Sequence, residues 1–174
     1  MAATIQLHVW TGAAAGVDGG SATSFSFLAI DSALDTAGAR LSNPISLPAA
    51  GACAYSYEKW ISACVSVVPA NKVEAFKVWG TAPVQTYPAA TCWIYGTVAS
   101  GAGATPVVTV STVATTNLGL ATSDAKATWD AASYAAAGCS TRYLVSQLHI
   151  GAAACIGNWG GVSGCSLSYS YDET

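Results

Sequence analysis

Charge is what this sequence has least of. Asp, Glu, Lys and Arg make up 9% of its 174 residues, against about 25% in an ordinary soluble domain. An exterior with so few ions repels its own copies weakly and is best tolerated where other subunits cover it. The expectation is an oligomer or a lattice component; the alternative is that Ser, Thr and Gly do the solvating, as in many secreted β proteins. The six basic residues, Arg40, Lys59, Lys72, Lys77, Lys126 and Arg142, are scattered, and the net charge is −3. No cluster stands ready to neutralise a phosphate backbone, which argues against a nucleic-acid partner.

Long apolar runs are missing too, although hydrophobic types reach 52%. Ser, Thr, Asp or Lys interrupts even the Ala-rich pieces before the roughly 18 consecutive apolar residues that a bilayer demands, so no membrane partner is expected. The opening Met1-Ala2-Ala3-Thr4-Ile5-Gln6-Leu7-His8 lacks the basic start and longer apolar core of a secretory signal, and the expectation is a chain made and kept in the cytosol. No internal repeat or linker divides the sequence, so a single domain over 1–174 is expected.

Motifs for group transfer are absent. Gly12 to Gly20 and Ser100 to Thr105 read as Gly/Ala-rich loops. Neither carries the Gly-Lys-Ser/Thr ending of a phosphate loop or the βαβ setting of a dinucleotide fingerprint. Gly161-Val162-Ser163-Gly164-Cys165 lacks the Gly-x-Ser-x-Gly spacing of a nucleophile elbow. The two histidines, His8 and His149, sit inside strand-like segments, where a structural ring is the commoner role. Among the acids, Glu58, Glu74, Asp124 and Asp130 could pair for glycoside hydrolysis, but sequence supplies no geometry for it. Asp172 and Glu173 read as a solvated end or a subunit contact. The expectation is a non-enzyme with no catalytic residue, no cofactor and no metal ligand.

What is present is a strand period. In Ile5-Gln6-Leu7-His8-Val9-Trp10, the residues Ile5, Leu7 and Val9 share one face, and in the stretch from Trp60 to Val68 so do Ile61, Ala63, Val65 and Val67. Ser166-Leu167-Ser168-Tyr169-Ser170-Tyr171 alternates hydroxyls with apolar and aromatic groups. Further β-branched or aromatic runs lie at Phe25 to Ala29, Val73 to Trp79, Thr91 to Val98, Pro106 to Thr112 and Tyr143 to Ile150. About eight strands with Gly- and Pro-bearing connections predict an all-β fold, an antiparallel β-sandwich or jelly roll, with a barrel as the third option. Ala125 to Ala137 is the best helix candidate, with a turn or loop equally open.

Six cysteines, Cys53, Cys64, Cys92, Cys139, Cys155 and Cys165, are candidates for up to three disulfides. A reducing cytosol would keep them as thiols, and small buried hydrophobes are the other reading. Zinc of finger or ribbon form is disfavoured, because no Cys-x-x-Cys pair occurs. Six tryptophans, Trp10, Trp60, Trp79, Trp93, Trp129 and Trp159, supply large area for cores and interfaces. Trp129 and Trp159, in Gly/Ala-rich surroundings, are the candidate interface aromatics. An exposed one would favour a carbohydrate-binding module.

Two stretches carry a family likeness. Asn43-Pro44-Ile45-Ser46-Leu47-Pro48, then Tyr55-Ser56-Tyr57-Glu58-Lys59-Trp60 and Phe76-Lys77-Val78-Trp79, resembles the small virion-associated proteins of tailed bacteriophages. Thr128-Trp129-Asp130, Tyr143-Leu144-Val145-Ser146-Gln147-Leu148 and Tyr169-Ser170-Tyr171-Asp172-Glu173 resemble them more loosely, and nothing before Asn43 joins in. The resemblance implies a β-sandwich or jelly-roll protein on a phage head or tail, with a capsid decoration or cement role foremost and a tail or baseplate role second. It implies the major capsid protein or other virion proteins as partners, a homo-oligomer with a trimer favoured, and assembly in the host cytoplasm followed by release through lysis. Cell-surface or carbohydrate binding is the rival from another class. The cysteine content is a departure from that family, and a particle assembled in the cytosol and freed by lysis would reconcile it with disulfides.

Overall fold

The computed structural model describes residues 2–11, 17–21, 52–68, 71–80, 91–100, 109, 111–118, 121, 123–151 and 167–174. They form an all-β sandwich in which every strand pair is antiparallel. Eleven strands lie among the described residues where about eight were expected of the chain: β1 (Thr4–Thr11), β2 (Val17–Ser21), β3 (Cys53–Tyr55), β4 (Lys59–Val67), β5 (Val73–Gly80), β6 (Thr91–Ala99), β7 (Thr116–Asn117), β8 (Ala127–Asp130), β9 (Gly138–Cys139), β10 (Arg142–Gly151) and β11 (Leu167–Glu173). Six of the expected runs are strands; the unexpected ones are β2, β8 and three pieces of two or three residues, β3, β7 and β9, too short to leave a period in the sequence.

The larger sheet runs β2-β1-β4-β10-β6-β7, with β3 also on β10 and β9 also on β4; the smaller runs β11-β5-β8. β4 and β10 form the centre of the larger sheet; β3, just before β4, pairs with β10, and β9, just before β10, pairs with β4. Between β9 and β10, Ser140 N donates to Ala63 O at 2.7 Å, and Ala63 N donates back to Ser140 Oγ at 3.2 Å. The ladder is thereby carried past the point where β9 gives way to β10.

Alternation sets the faces as the sequence indicates. Ile5 pairs with Val65, Leu7 with Ala63 and Val9 with Ile61, so these residues share the face turned toward the smaller sheet. There Ile61, Ala63, Val65 and Leu144 meet Val73, Phe76, Val78 and Trp129 of the smaller sheet. Each Val, Ile, Leu or Phe among them, fully buried, contributes about 1.5–3 kcal/mol. Leu167, Tyr169 and Tyr171 of β11 pack against the same cluster, leaving Ser168 and Ser170 at the alternate positions.

β5 departs from simple alternation. Its register slips between Phe76 and Lys77 against β8 and between Ser170 and Asp172 on β11, and Ala75 takes a left-handed φ of 54°. A bulge of this kind inserts one residue and re-aims the side chains beyond it. It brings Val73 and Phe76, three apart, into one core.

Three sequence expectations change. The Gly-rich run from Gly12 to Gly20 was expected to be a loop throughout, but Val17–Ser21 is strand β2, because β1 offers an edge to pair with. Ala125 to Ala137 holds no helix: Ala127–Asp130 is strand β8, and 131–137 follows without regular structure apart from a single bridge at Tyr134. The described part of Pro106 to Thr112, residues 109 and 111–112, is not strand. Phe25 to Ala29 and Asn43 to Pro48 lie outside the described residues. No helix among the described residues is long and apolar enough to cross a membrane.

Candidate functional site

The face of the larger sheet turned away from the smaller one gathers the reactive groups. Period two places His8 opposite Ser62, Gln6 opposite Cys64 and Trp10 opposite Trp60. Cys64 also lies directly opposite Cys139 on its other flank. Their Cα atoms are 3.8 Å apart and the two sulfurs are bonded as a disulfide. One ring nitrogen of His8 and the sulfurs of Cys64 and Cys139 all lie within 4.8 Å of one another.

Hydrogen bonding gives this group an orientation. Trp10 Nε1 donates to Ser62 Oγ at 2.6 Å, and Ser62 Oγ stands 3.4 Å from Cys64 Sγ. An indole N–H only donates, so Ser62 accepts from Trp10 and keeps its own O–H for the sulfur. Aromatic rings wall one side: Tyr143 lies 5.3 Å from Trp10 and 5.5 Å from Trp60, centroid to centroid. Trp60 Nε1 in turn donates to Glu58 Oε2 at 2.9 Å.

A second polar centre on this face is structural. Gln147, fully buried, spends its whole amide on backbone: Oε1 accepts from Ser111 N at 3.0 Å, while Nε2 donates to Ser56 O at 2.9 Å and Thr109 O at 2.7 Å. Ser111 Oγ accepts from Val113 N and Ala114 N. Together they press 111–114 onto Gly96, where an added Cβ would meet Val113 O at 1.9 Å.

The acids take structural places as well. Asp130, 2% exposed, accepts from Ala132 N at Oδ1, and at Oδ2 from the Tyr134 hydroxyl at 2.6 Å, Thr141 Oγ1 at 3.0 Å and Arg142 N at 3.1 Å. Burial first, then the hydrogen bond to Asp130, pushes the Tyr134 hydroxyl above its ordinary value. Glu74 accepts from Lys72 Nζ and Ser133 Oγ, both at 2.7 Å, and these bonds, Lys72's foremost, hold its carboxyl below the ordinary range. Asp124 is exposed. Glu173 Oε1 accepts from Ala3 N at 2.9 Å, so one of the two C-terminal acids ties strand ends of its own chain together.

Of the six candidate disulfide cysteines, Cys64 and Cys139 are joined and Cys53 is an exposed free thiol. The side chain of Cys92, and Cys155 and Cys165 altogether, lie outside the described residues. Trp129 requires a correction: it was expected at an interface, but it is 1% exposed, packs edge-on to Phe76 and donates its Nε1–H to Arg142 O. Its Gly/Ala-rich neighbours hid a core position, because the covering side chains come from β5 and β10. Trp159 lies outside the described residues. Trp60 and Trp93 are buried as well, and the half-buried Trp79 lies under Lys126 Nζ. His149 stacks on Tyr55 at 5.1 Å.

Sequence reasoning missed Ser62, Gln147 and Gly96. Ser62 had a signal in its alternation with Ile61 and Ala63; the other two depend on a segment folding back from fifteen or more residues away. No protein-family model, no curated protein and no solved structure matches this chain.

Proposed function

We propose that this chain is a structural subunit of a bacteriophage particle, a decoration or cement protein on the outside of the head, made in the host cytoplasm and freed by lysis. The observation that carries the reading is the poverty of surface charge. Of six basic and nine acidic residues, Glu58, Lys59 and Asp130 are each at most 3% exposed, so the exterior is poorer in ions than composition alone implies. A surface of that kind gains by being covered, and oligomer and particle contacts cover it. The sandwich supplies a rigid body to bridge neighbouring capsomers, and the likeness of Tyr55 to Trp60 and Phe76 to Trp79 to small phage virion proteins supplies the kind of partner.

Two measurements test it. Sedimentation of the purified full chain is expected to give an oligomer, a trimer in the favoured case. Mixing it with bacteriophage heads assembled without decoration protein is expected to give saturable binding at fixed stoichiometry and heads that withstand more heat or lower salt. Binding to purified tails in place of heads would move the protein to the tail or baseplate. A freely soluble monomer that ignores heads and tails alike would overturn the proposal.

A further inference from the structure

We propose that His8, Cys64 and Cys139 form a binding site for a thiophilic divalent cation of the zinc type, available when the Cys64–Cys139 disulfide is reduced. The ligand set is chemically apt, since two thiolates and one imidazole are the donors that zinc and its relatives prefer. The placement is apt too. Three strands, β1, β4 and β9, bring the three donor atoms within 4.8 Å of one another, whereas tetrahedral zinc, with Zn–S near 2.3 Å, asks for donors about 3.8 Å apart. Once the S–S bond is reduced, the two sulfurs are free to part toward that spacing.

The surroundings add what bare proximity does not. Ser62, fully buried, is held by Trp10 so that its O–H is left to donate to Cys64 Sγ. A hydroxyl aimed at sulfur stabilises the thiolate and fixes the ligand's direction, as partners of metal ligands do. Three protein donors leave the fourth tetrahedral position for water or an incoming group.

The exchange balances. A dithiol reductant gives two electrons and two protons to the S–S bond, yielding two S–H groups, and is itself oxidised to a disulfide. On binding, the cation displaces both protons to solvent, and two sulfur–metal bonds replace two S–H bonds while neutral His8 gives a nitrogen lone pair. Exchange with a disulfide oxidant takes two electrons from the two thiolates, restores the S–S bond and releases the cation, while the oxidant takes up two protons from solvent and leaves as a dithiol. Such a site suits a chain made in a reducing compartment and later exposed to an oxidising one.

The test uses the full chain reduced with a phosphine, desalted without oxygen and titrated with Co2+, then with Zn2+ in competition. One Co2+ per chain is expected, with near-ultraviolet thiolate-to-cobalt absorption that Zn2+ abolishes, and no uptake by the oxidised protein. Cys53→Ser is expected to leave this unchanged, Cys139→Ser to remove the charge-transfer band, and His8→Gln to weaken binding about tenfold or more. Absence of uptake by the reduced chain would overturn the proposal, as would full uptake by Cys139→Ser through thiols elsewhere. Should Cys139→Ser fail to fold, His8→Gln decides, because an unchanged affinity in that variant removes histidine from the site and the proposal with it.

Discussion

Gly96 shows how far a single residue can depend on a distant segment. It faces the outer side of the larger sheet with Val145 opposite, and the carbonyl of Val113 occupies the space its Cβ would take, at 1.9 Å. The obstructing atom is backbone and is held by Ser111 and, through it, Gln147, so relief by a side-chain rotation is not open. Gly96→Ala is therefore expected to destabilise the fold by about 2 kcal/mol or more, within or above the usual range for overpacking. Urea unfolding with an unchanged slope and a lower midpoint would bear this out; an unchanged midpoint would mean that 111–114 does not press on the sheet. The alternation of Ile5, Leu7, Val9, Ile61, Ala63 and Val65 was legible because strand period is a local property. Gly96 and Gln147 were not, since their neighbours are chosen by the path of a connection that leaves no period.

At the scale of elements, the stretch from Ala125 to Ala137 shows propensity overruled. Its alanines favour helix, yet Asp130 offers a carboxylate to four downstream donors within twelve residues, two of them, Ala132 and Tyr134, inside the same stretch. A short polar side chain that captures nearby backbone N–H groups competes with helix formation, and the free edge of β5 takes Ala127 to Asp130 as a strand. The same clasp has a pH dependence. Tyr134 loses its proton above its ordinary value of 10.0 in the folded chain, through burial and its bond to Asp130. A raised value means stability fully present below about pH 10 and lost as pH rises through the folded value, because the unfolded chain then releases the proton more readily. Unfolding midpoints measured from pH 8 to 12 should fall at the alkaline end. Tyr134→Phe should flatten part of that fall while costing about 1.5–3 kcal/mol at neutral pH, because the hydroxyl donates to the Asp130 carboxylate and accepts from Thr141 N. Tyr95 and Tyr171 are raised too, chiefly by burial, so the fall is shared and the variant should not abolish it.

Across the whole molecule, the Cys64–Cys139 bond determines how much chain must be ordered at once. The two cysteines are 75 residues apart in sequence, and the span between them contains β5, β6, β7 and β8, two of the three strands of the smaller sheet and one edge of the larger. Cysteine count alone could nominate six candidates, but not this pair, because pairing follows from β9 lying antiparallel on β4 and β9 is only two residues long. Closing so long a loop restricts the unfolded ensemble strongly; the chain-entropy relation gives about 4 kcal/mol, and bonds of this kind typically contribute about 2–4. Cys64→Ala/Cys139→Ala should thus lower the unfolding free energy by about 2–4 kcal/mol in non-reducing buffer, with a steeper dependence on denaturant as the freed unfolded chain exposes more surface. The double substitution separates this pair from the other cysteines, which a reductant would not. If its unfolding curve overlays that of the parent chain, the β4–β9 staple does not constrain the unfolded state, and the two sheets are held by the Ile61, Phe76 and Trp129 core alone.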